Sequence, residues 1–337
     1  MCIRDRLGTA PTDVVFTASA SEANNMAIRG LARREAIAGR KLTVYTSELE
    51  HACIRETTRL LAESNELNAY ALTVLSTGQA EVPNQSLLSG YKLLNLMAIQ
   101  NETGIYQRLA EARTLREQEP SLRWLCDITQ AFSIADARTW RGADFLSLSS
   151  HKIAAPAGAG ALAGPGVPDL IPILTGGPQE GEHRAGTQAV ALIEAFVYAA
   201  QKVAANRGNL VRHLDSMTGL LMTRIGEAKV SHDLNGGRNL RASGFLNLSI
   251  SGLSGADMVI ALDAAGFCVS SGSACATGVM ERSPALAAMF PEDHVRAAGA
   301  VRLTMGRTTM ADEVERLAAA IISIVDGQRR RVPKRTV

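Results

Sequence analysis

The sequence predicts an α/β protein: a mostly parallel sheet sandwiched by helices, followed by a smaller C-terminal α/β domain. Three observations carry this. Short β-branched and apolar runs alternate with longer amphipathic stretches, which is the order of strand–helix units in a parallel sheet. The chain has 337 residues, enough for about two domains. Apolar residues make up 46% and charged residues 20%, an ordinary balance for a globular protein with a buried core.

Val14-Val15-Phe16 reads as the first strand. From Ser21 to Ile37, Ala23, Met26, Ala27, Gly30 and Leu31 share one helical face, and Ser19-x-x-Glu22 is a capping box for it. Leu42 to Thr46 is a strand and His51 to Ala62 a helix. Leu93 to Ile99 is a strand, Leu109 to Glu117 a helix, and Trp124-Leu125-Cys126 and Phe145 to Ser149 are buried strands. A long helical stretch covers Gln188 to Gly226, and the polar segment Ser231 to Ser243 interrupts the pattern. Then come strand Phe245 to Ile250, helix Ala256 to Ala264, strands Phe267 to Ser270 and Val301 to Met305, and helix Ala311 to Val325. The expected domains are 11–205 (large) and 206–326 (small), with an irregular leader at 1–10 and a basic tail at 327–337.

Composition removes several function classes. Thirty-five basic against 33 acidic residues leave a net charge of +2, which gives no electrostatic reason to expect nucleic acid or an anionic membrane as partner. The N-terminus has no apolar h-region, and no apolar run is long enough to cross a bilayer. Five scattered cysteines make no disulfide framework, and the sequence lacks CxxC, HExxH and a P-loop, so no metal site formed by the protein alone is expected. The expectation is a cytoplasmic enzyme with a small cofactor.

Chemistry-bearing residues sit where strands end, the place an open α/β sheet presents ligand groups. Ser149-Ser150-His151-Lys152 follows the strand FLSLS, giving donors for a phosphate and an amine for a Schiff base. Asp127-Ile128-Thr129-Gln130 follows Trp124-Leu125-Cys126; its acid can cap a turn or keep a pyridine nitrogen protonated. Ala20-Ser21-Glu22 opens a helix, where backbone N–H groups either meet a plain cap or bind phosphate. Glu50-His51 begins another helix, and the imidazole can be structural or lie flat on a cofactor ring. Asn101-Glu102-Thr103-Gly104 offers an amide, and Gly176 to Thr187 is a loop rich in donors. Ser270-Ser271-Gly272-Ser273-Ala274-Cys275 surrounds a thiol with small residues, which suits an open loop. Cys126 and Cys268 in apolar strands, Cys53 on a helix and Cys2 in the leader read as ordinary cysteines.

Taken in order, EANN, EH, NETG, DxTQ, SxHK, GGxQE, RxGT and SSGSAC resemble the cysteine desulfurases of the NifS/IscS type. These are fold-type I, class V aminotransferase-like enzymes dependent on pyridoxal 5′-phosphate. The resemblance runs from Val14 to Val325, and SSGSAC marks the subgroup with the longer cysteine loop. It implies that Lys152 holds the cofactor covalently, Asp127 pairs with its ring nitrogen and His51 stacks on the ring. It places Asn101 and Gln130 at the phenolic oxygen. Ala20, Ser21, Ser149 and His151 fall at the phosphate, with Thr187 reaching it from the other subunit of a homodimer. Arg302 would clamp the carboxylate of L-cysteine, and Cys275 would take the sulfur as a persulfide. The expected acceptor is an iron–sulfur scaffold or a tRNA-thiolation protein; a cluster on the scaffold could share Cys275.

The sequence departs from the family in places. Ser19 and Ser150 stand where the family has glycine, Ser21 where it has threonine, and Ala155 where it has glycine. The family's N-terminal segment has no counterpart, and MCIRDR matches nothing in it, so a truncated frame with a foreign leader is the expectation. Two other readings stand beside it: another class V enzyme, such as a selenocysteine lyase or aminotransferase, which shares Lys152 and Asp127, or a weakly active sulfur-relay protein left after truncation, which binds a partner without stable pyridoxal 5′-phosphate. A dinucleotide-binding reading of Gly158 to Gly164 fails, because the run lacks G-x-G-x-x-G spacing and does not open the first strand–helix unit.

Overall fold

The computed structural model describes residues 13–85, 90–272 and 283–331. The chain forms two compact units. The first runs through Val74 and takes in Gln79–Gln100 and Gln107–Arg207; the second comprises Leu75–Gly78, Asn101–Tyr106 and the chain from Gly208 onward.

The strands of the first unit are β1 (Val14–Thr17), β2 (Leu42–Thr46), β3 (Leu67–Ala71), β4 (Lys92–Asn95), β5 (Leu122–Asp127), β6 (Phe145–Ser149) and β7 (Gly160–Ala163). They form one sheet in the order β1-β7-β6-β5-β4-β2-β3. Every pair from β3 to β6 is parallel, while β7 runs antiparallel to both β6 and β1. Two reversals leave β1 pointing with β6. The C-terminal ends of β1, β2, β4, β5 and β6 therefore open on the same edge of the sheet. Strands β4 and β6 are buried at every position, as befits the middle of a mostly parallel sheet covered on both faces.

Helix α1 (Ala20–Ile37) packs on this sheet through Ala23, Met26, Ala27, Ile28, Leu31 and Ala32, each at most 3% exposed. Burying each Met, Ile or Leu of that face contributes about 1.5–3 kcal/mol, and Leu31→Ala would cost about 2–5 kcal/mol. Ser19 caps the helix, its hydroxyl accepting from the Glu22 N–H at 3.2 Å. Glu22 reaches back to the Ala18 N–H at 2.7 Å, so the capping box forms one residue further out than the usual pairing. The helix ends before Gly39, whose φ of +70° only glycine adopts cheaply. Helices α2 (Ala52–Glu63) and α3 (Leu109–Gln118) complete the named α-helices of this unit before the long helix α4.

Three sequence expectations need correction here. The strand expected to reach Ile99 stops at Asn95; the Leu96 and Ala98 N–H groups still bond to carbonyls of Leu125 and Asp127, but no regular ladder continues. Strand β3 is absent from the sequence expectation because only Leu67 of its five residues is buried, leaving no apolar run. Strand β7 is absent from it because a glycine–alanine run carries no β propensity; its place between β1 and β6 buries it.

Helix α4 (Val190–Glu227) carries the chain from the first unit into the second. There β8 (His232–Leu234), β9 (Phe245–Ile250) and β10 (Ala300–Thr304) form an antiparallel sheet in the order β10-β9-β8. Helices α5 (Gly255–Ala264), α6 (Pro284–Met289), α7 (His294–Ala298) and α8 (Ala311–Arg331) accompany it. The strand expected over Phe267–Ser270 is absent; only Ser270 bridges to Arg302. The Phe267 N–H is taken by the Leu262 carbonyl in the last turn of α5, which keeps this segment off the sheet. Helix α8 runs on to Arg331, into the segment read as a basic tail. Among the described residues, no helix is long and apolar enough to cross a membrane.

Candidate active site

Asp127 ends β5 at the C-terminal edge of the sheet, and its side chain is buried. Burying a carboxylate is expensive unless it is hydrogen-bonded. Asn24 of α1 donates from Nδ2 to Oδ2 at 2.9 Å, and the Thr129 N–H donates to Oδ1 at 2.9 Å. Asn24 Oδ1 and Thr129 Oγ1 are also buried, yet have no partner among the described residues. Gln130 follows, half-buried.

The neighbouring strand β6 ends at Ser149 and passes into a short 3-10 turn, Ser150–Ile153, that carries His151 and Lys152. Ala154 closes the turn in the left-handed region at φ +65°, and the Ser150 hydroxyl donates to the Pro156 carbonyl at 2.6 Å. The Ser149 hydroxyl lies 2.9 Å from His151 Nδ1. Partial burial and the Lys152 charge push the His151 pKa down, favouring the neutral ring. The Lys152 side chain is exposed.

The start of α1 completes this edge. Ala20 is buried and Ser21 exposed, in a first turn whose N–H groups lack helical partners. A Cβ on Gly160 of β7 would stand 2.5 Å from the Ser19 carbonyl carbon, so glycine is required for this close approach. Loop 176–187 is pinned beside it. Arg184 pairs with Glu22 at 2.9 Å, and the Phe16 N–H donates to Glu180 at 2.8 Å. The Gly186 N–H donates to Gln179 at 3.1 Å, and Thr187 is exposed.

His51 caps α2, its Nδ1 accepting from the Cys53 N–H at 3.2 Å. The same nitrogen lies 3.1 Å from Cys53 Sγ, which receives Asn24 Nδ2 at 3.4 Å. Burial, reinforced by the Asp127 charge, pushes the Cys53 thiol up to about 11. Glu50, also buried, accepts the Met97 N–H at 2.8 Å through Oε1, while Oε2 is without a partner among the described residues. Burial, with the Asp127 charge adding to it, lifts the Glu50 carboxyl to about 8.

The structure thus links His51 to Asp127 in one hydrogen-bonded chain through Cys53 and Asn24, and joins Ser149 to His151; Ser21 lies in the same unit. Ala20, Gln130, Lys152 and Thr187 belong to the same unit. Asn101 and Arg302 belong to the second unit, where Arg302 Nη1 donates to the Asn101 carbonyl at 3.4 Å. Cys275 lies outside the described residues. Two members of that chain, Asn24 and Cys53, and the neighbouring buried Glu50 do not stand out from sequence. Asn24 lies inside the EANN motif and Glu50 directly before His51, so both sit next to recognisable signals. Cys53 has none.

The aminotransferase class-V family matches residues 2–317 of this chain. The chain is 30% identical to the putative cysteine desulfurase IscS 1 of Bacillus subtilis, over 96% of its own length and 85% of that protein. It is likewise 30% identical to the cysteine desulfurase IscS of Rickettsia africae, over 97% of its length and 79% of the relative. Among solved structures it resembles a NifS-like protein with a TM-score of 0.86, at 22% identity, over 96% of this chain and 85% of the other; that likeness concerns the fold.

Proposed function

The chain belongs to the aminotransferase class-V family, in its cysteine desulfurase group, and from that premise we propose that it removes sulfur from L-cysteine with the residues gathered above. The buried Asp127 carboxylate, held by Asn24 at one end of β5 beside the Lys152 turn of β6, is the observation that supports the reading most.

The residues fit pyridoxal 5′-phosphate. An anionic carboxylate with both oxygens already oriented suits a protonated pyridine nitrogen. The buried Asn24 Oδ1 and Thr129 Oγ1, without partners among the described residues, leave polar capacity unused beside Asp127. The first turn of α1 with Ser21, and the Ser149–His151 pair, offer N–H and O–H donors to a phosphate. When bound, the cofactor supplies an electron sink that acidifies the α-C–H of the amino acid.

The chain's own residues do the rest. Asp127 keeps the ring nitrogen protonated. Lys152 anchors the cofactor and, once freed, its amine takes the α-proton. With the cofactor bound, His51 would lie against its ring, and Asn101 and Gln130 would offer donors to its phenolic oxygen. Arg302 holds the substrate carboxylate. The Cys275 thiolate attacks the substrate sulfur: an S–S bond forms and the C–S bond breaks. Its electron pair stays on the carbon that becomes the methyl group of L-alanine, with a proton taken up there. The persulfide then passes to an acceptor protein for iron–sulfur or tRNA-thiolation chemistry. We further propose a cytoplasmic homodimer in which Thr187 serves the neighbouring subunit's phosphate.

The test is an absorbance spectrum of the purified chain with pyridoxal 5′-phosphate, followed by L-cysteine and a reductant. Equal amounts of sulfide and alanine are expected. Turnover of an amino acid–keto acid pair without sulfide would favour the aminotransferase reading instead.

A further inference from the structure

The Cys53 sulfur touches two site groups from different elements: Asn24 comes from α1, and His51 precedes α2. Burial keeps the thiol protonated near neutral pH, so it has one hydrogen to give and lone pairs to receive. The amide of Asn24 supplies a donor to the sulfur at 3.4 Å. His51 Nδ1, at 3.1 Å, is the acceptor left for the thiol hydrogen. That nitrogen also receives the Cys53 N–H, so it carries no proton of its own, and a neutral His51 ring bears its hydrogen on Nε2. Asn24 gives its other contact to Asp127 at 2.9 Å. One sulfur thereby connects the imidazole to the buried acid.

A half-buried thiol pushed away from its thiolate is a poor nucleophile. We propose that Cys53 is a positioning residue: with the backbone N–H of residue 53 already making Nδ1 an acceptor, its thiol adds a second contact that fixes the His51 imidazole relative to the Asn24–Asp127 pair, without itself accepting sulfur. The consequence for turnover rests on the cysteine desulfurase reading; the consequence for His51 does not.

The experiment uses the full chain as wild type, Cys53→Ser and Cys53→Ala, with folding checked by thermal unfolding. In the cofactor-free protein labelled with ¹⁵N-histidine, long-range ¹H–¹⁵N spectra near pH 7 should show His51 Nδ1 unprotonated in wild type and Cys53→Ser. Cys53→Ala should keep Nδ1 unprotonated, because the backbone N–H of residue 53 remains, but should shift and broaden the His51 ring signals as the imidazole loses its contact with the thiol. Identical His51 signals in all three would overturn the proposal. With cofactor and L-cysteine, Cys53→Ala should lose about tenfold in kcat with little change in KM, as expected for a misplaced catalytic group, and Cys53→Ser should recover most of it. A full rate in Cys53→Ala would overturn the positioning role. Mass spectrometry after L-cysteine, in a Cys275→Ala background, should find no persulfide on Cys53; finding one would overturn the claim that it accepts no sulfur. Failure of wild type to release sulfide would strike the desulfurase reading alone, and the His51 spectra would still decide the role of Cys53.

Discussion

Asn24 and Asp127 stand 103 positions apart in sequence, yet the amide of one donates to the carboxylate of the other at 2.9 Å, both side chains buried. This bond ties the first helix to the end of the central strand β5. Asn24→Ala leaves one Asp127 oxygen without its donor, and an unsatisfied buried polar group costs about 1–3 kcal/mol. Asn24→Asp sets a second carboxylate against the first and should cost more. Urea unfolding monitored by circular dichroism gives both values; a loss below about 0.5 kcal/mol, the scatter of neutral surface changes, would show the bond to be dispensable.

Glu50 predicts a pH dependence. Its folded-state pKa lies at about 8 against an ordinary 4.5, so the folded protein binds this proton more tightly than the unfolded chain. Stability contributed by Glu50 therefore falls as pH rises through the window from about 4.5 to about 8. Glu50→Gln keeps an oxygen for the Met97 N–H and carries no charge. The melting temperature of Glu50→Gln relative to wild type should rise steadily between about pH 5 and pH 8. A difference that stays flat across that range would show that Glu50 does not titrate there.

Gly160 is a steric test of the phosphate end of the site. A methyl group there would meet the backbone of Ser19, at 2.5 Å from its carbonyl carbon and 2.8 Å from its Cα. Backbone atoms cannot rotate aside, so β7 or the start of α1 must shift, at about 1–3 kcal/mol. Gly160→Ala should lower the melting temperature and weaken pyridoxal 5′-phosphate binding together. Unchanged cofactor affinity, measured by fluorescence titration, would separate the α1 N-terminus from phosphate binding.

Lys152 and Cys275 should separate into two phenotypes. Lys152→Ala should lose the absorbance band of the covalently held cofactor and all sulfide release. Cys275→Ala should keep that band and lose sulfide release. Sulfide production persisting in Cys275→Ala would move the nucleophile elsewhere in the chain.

Much of the fold is legible because burial in a parallel sheet leaves a local trace. Phe145 to Ser149 reads as a strand, and Ser19-x-x-Glu22 announces a helix start, from neighbours in sequence alone. The Phe267–Ser270 segment shows the limit. It is as apolar as a strand, but its first N–H is captured by the helix before it. Strand β7 shows the converse, a run of glycine and alanine that becomes a strand because β1 and β6 flank it.

The sequence by itself determined most of the elements, the motif order and the residue types that chemistry requires: a lysine, an acid and a histidine, each just past a strand. Tertiary structure alone decided their partners. Which side chain satisfies Asp127, why Gly160 must be glycine and what Cys53 touches all depend on atoms brought together by the fold. Burial makes those contacts obligatory, because a polar group removed from water must find a partner in the fold, and spacing along the chain does not say which one.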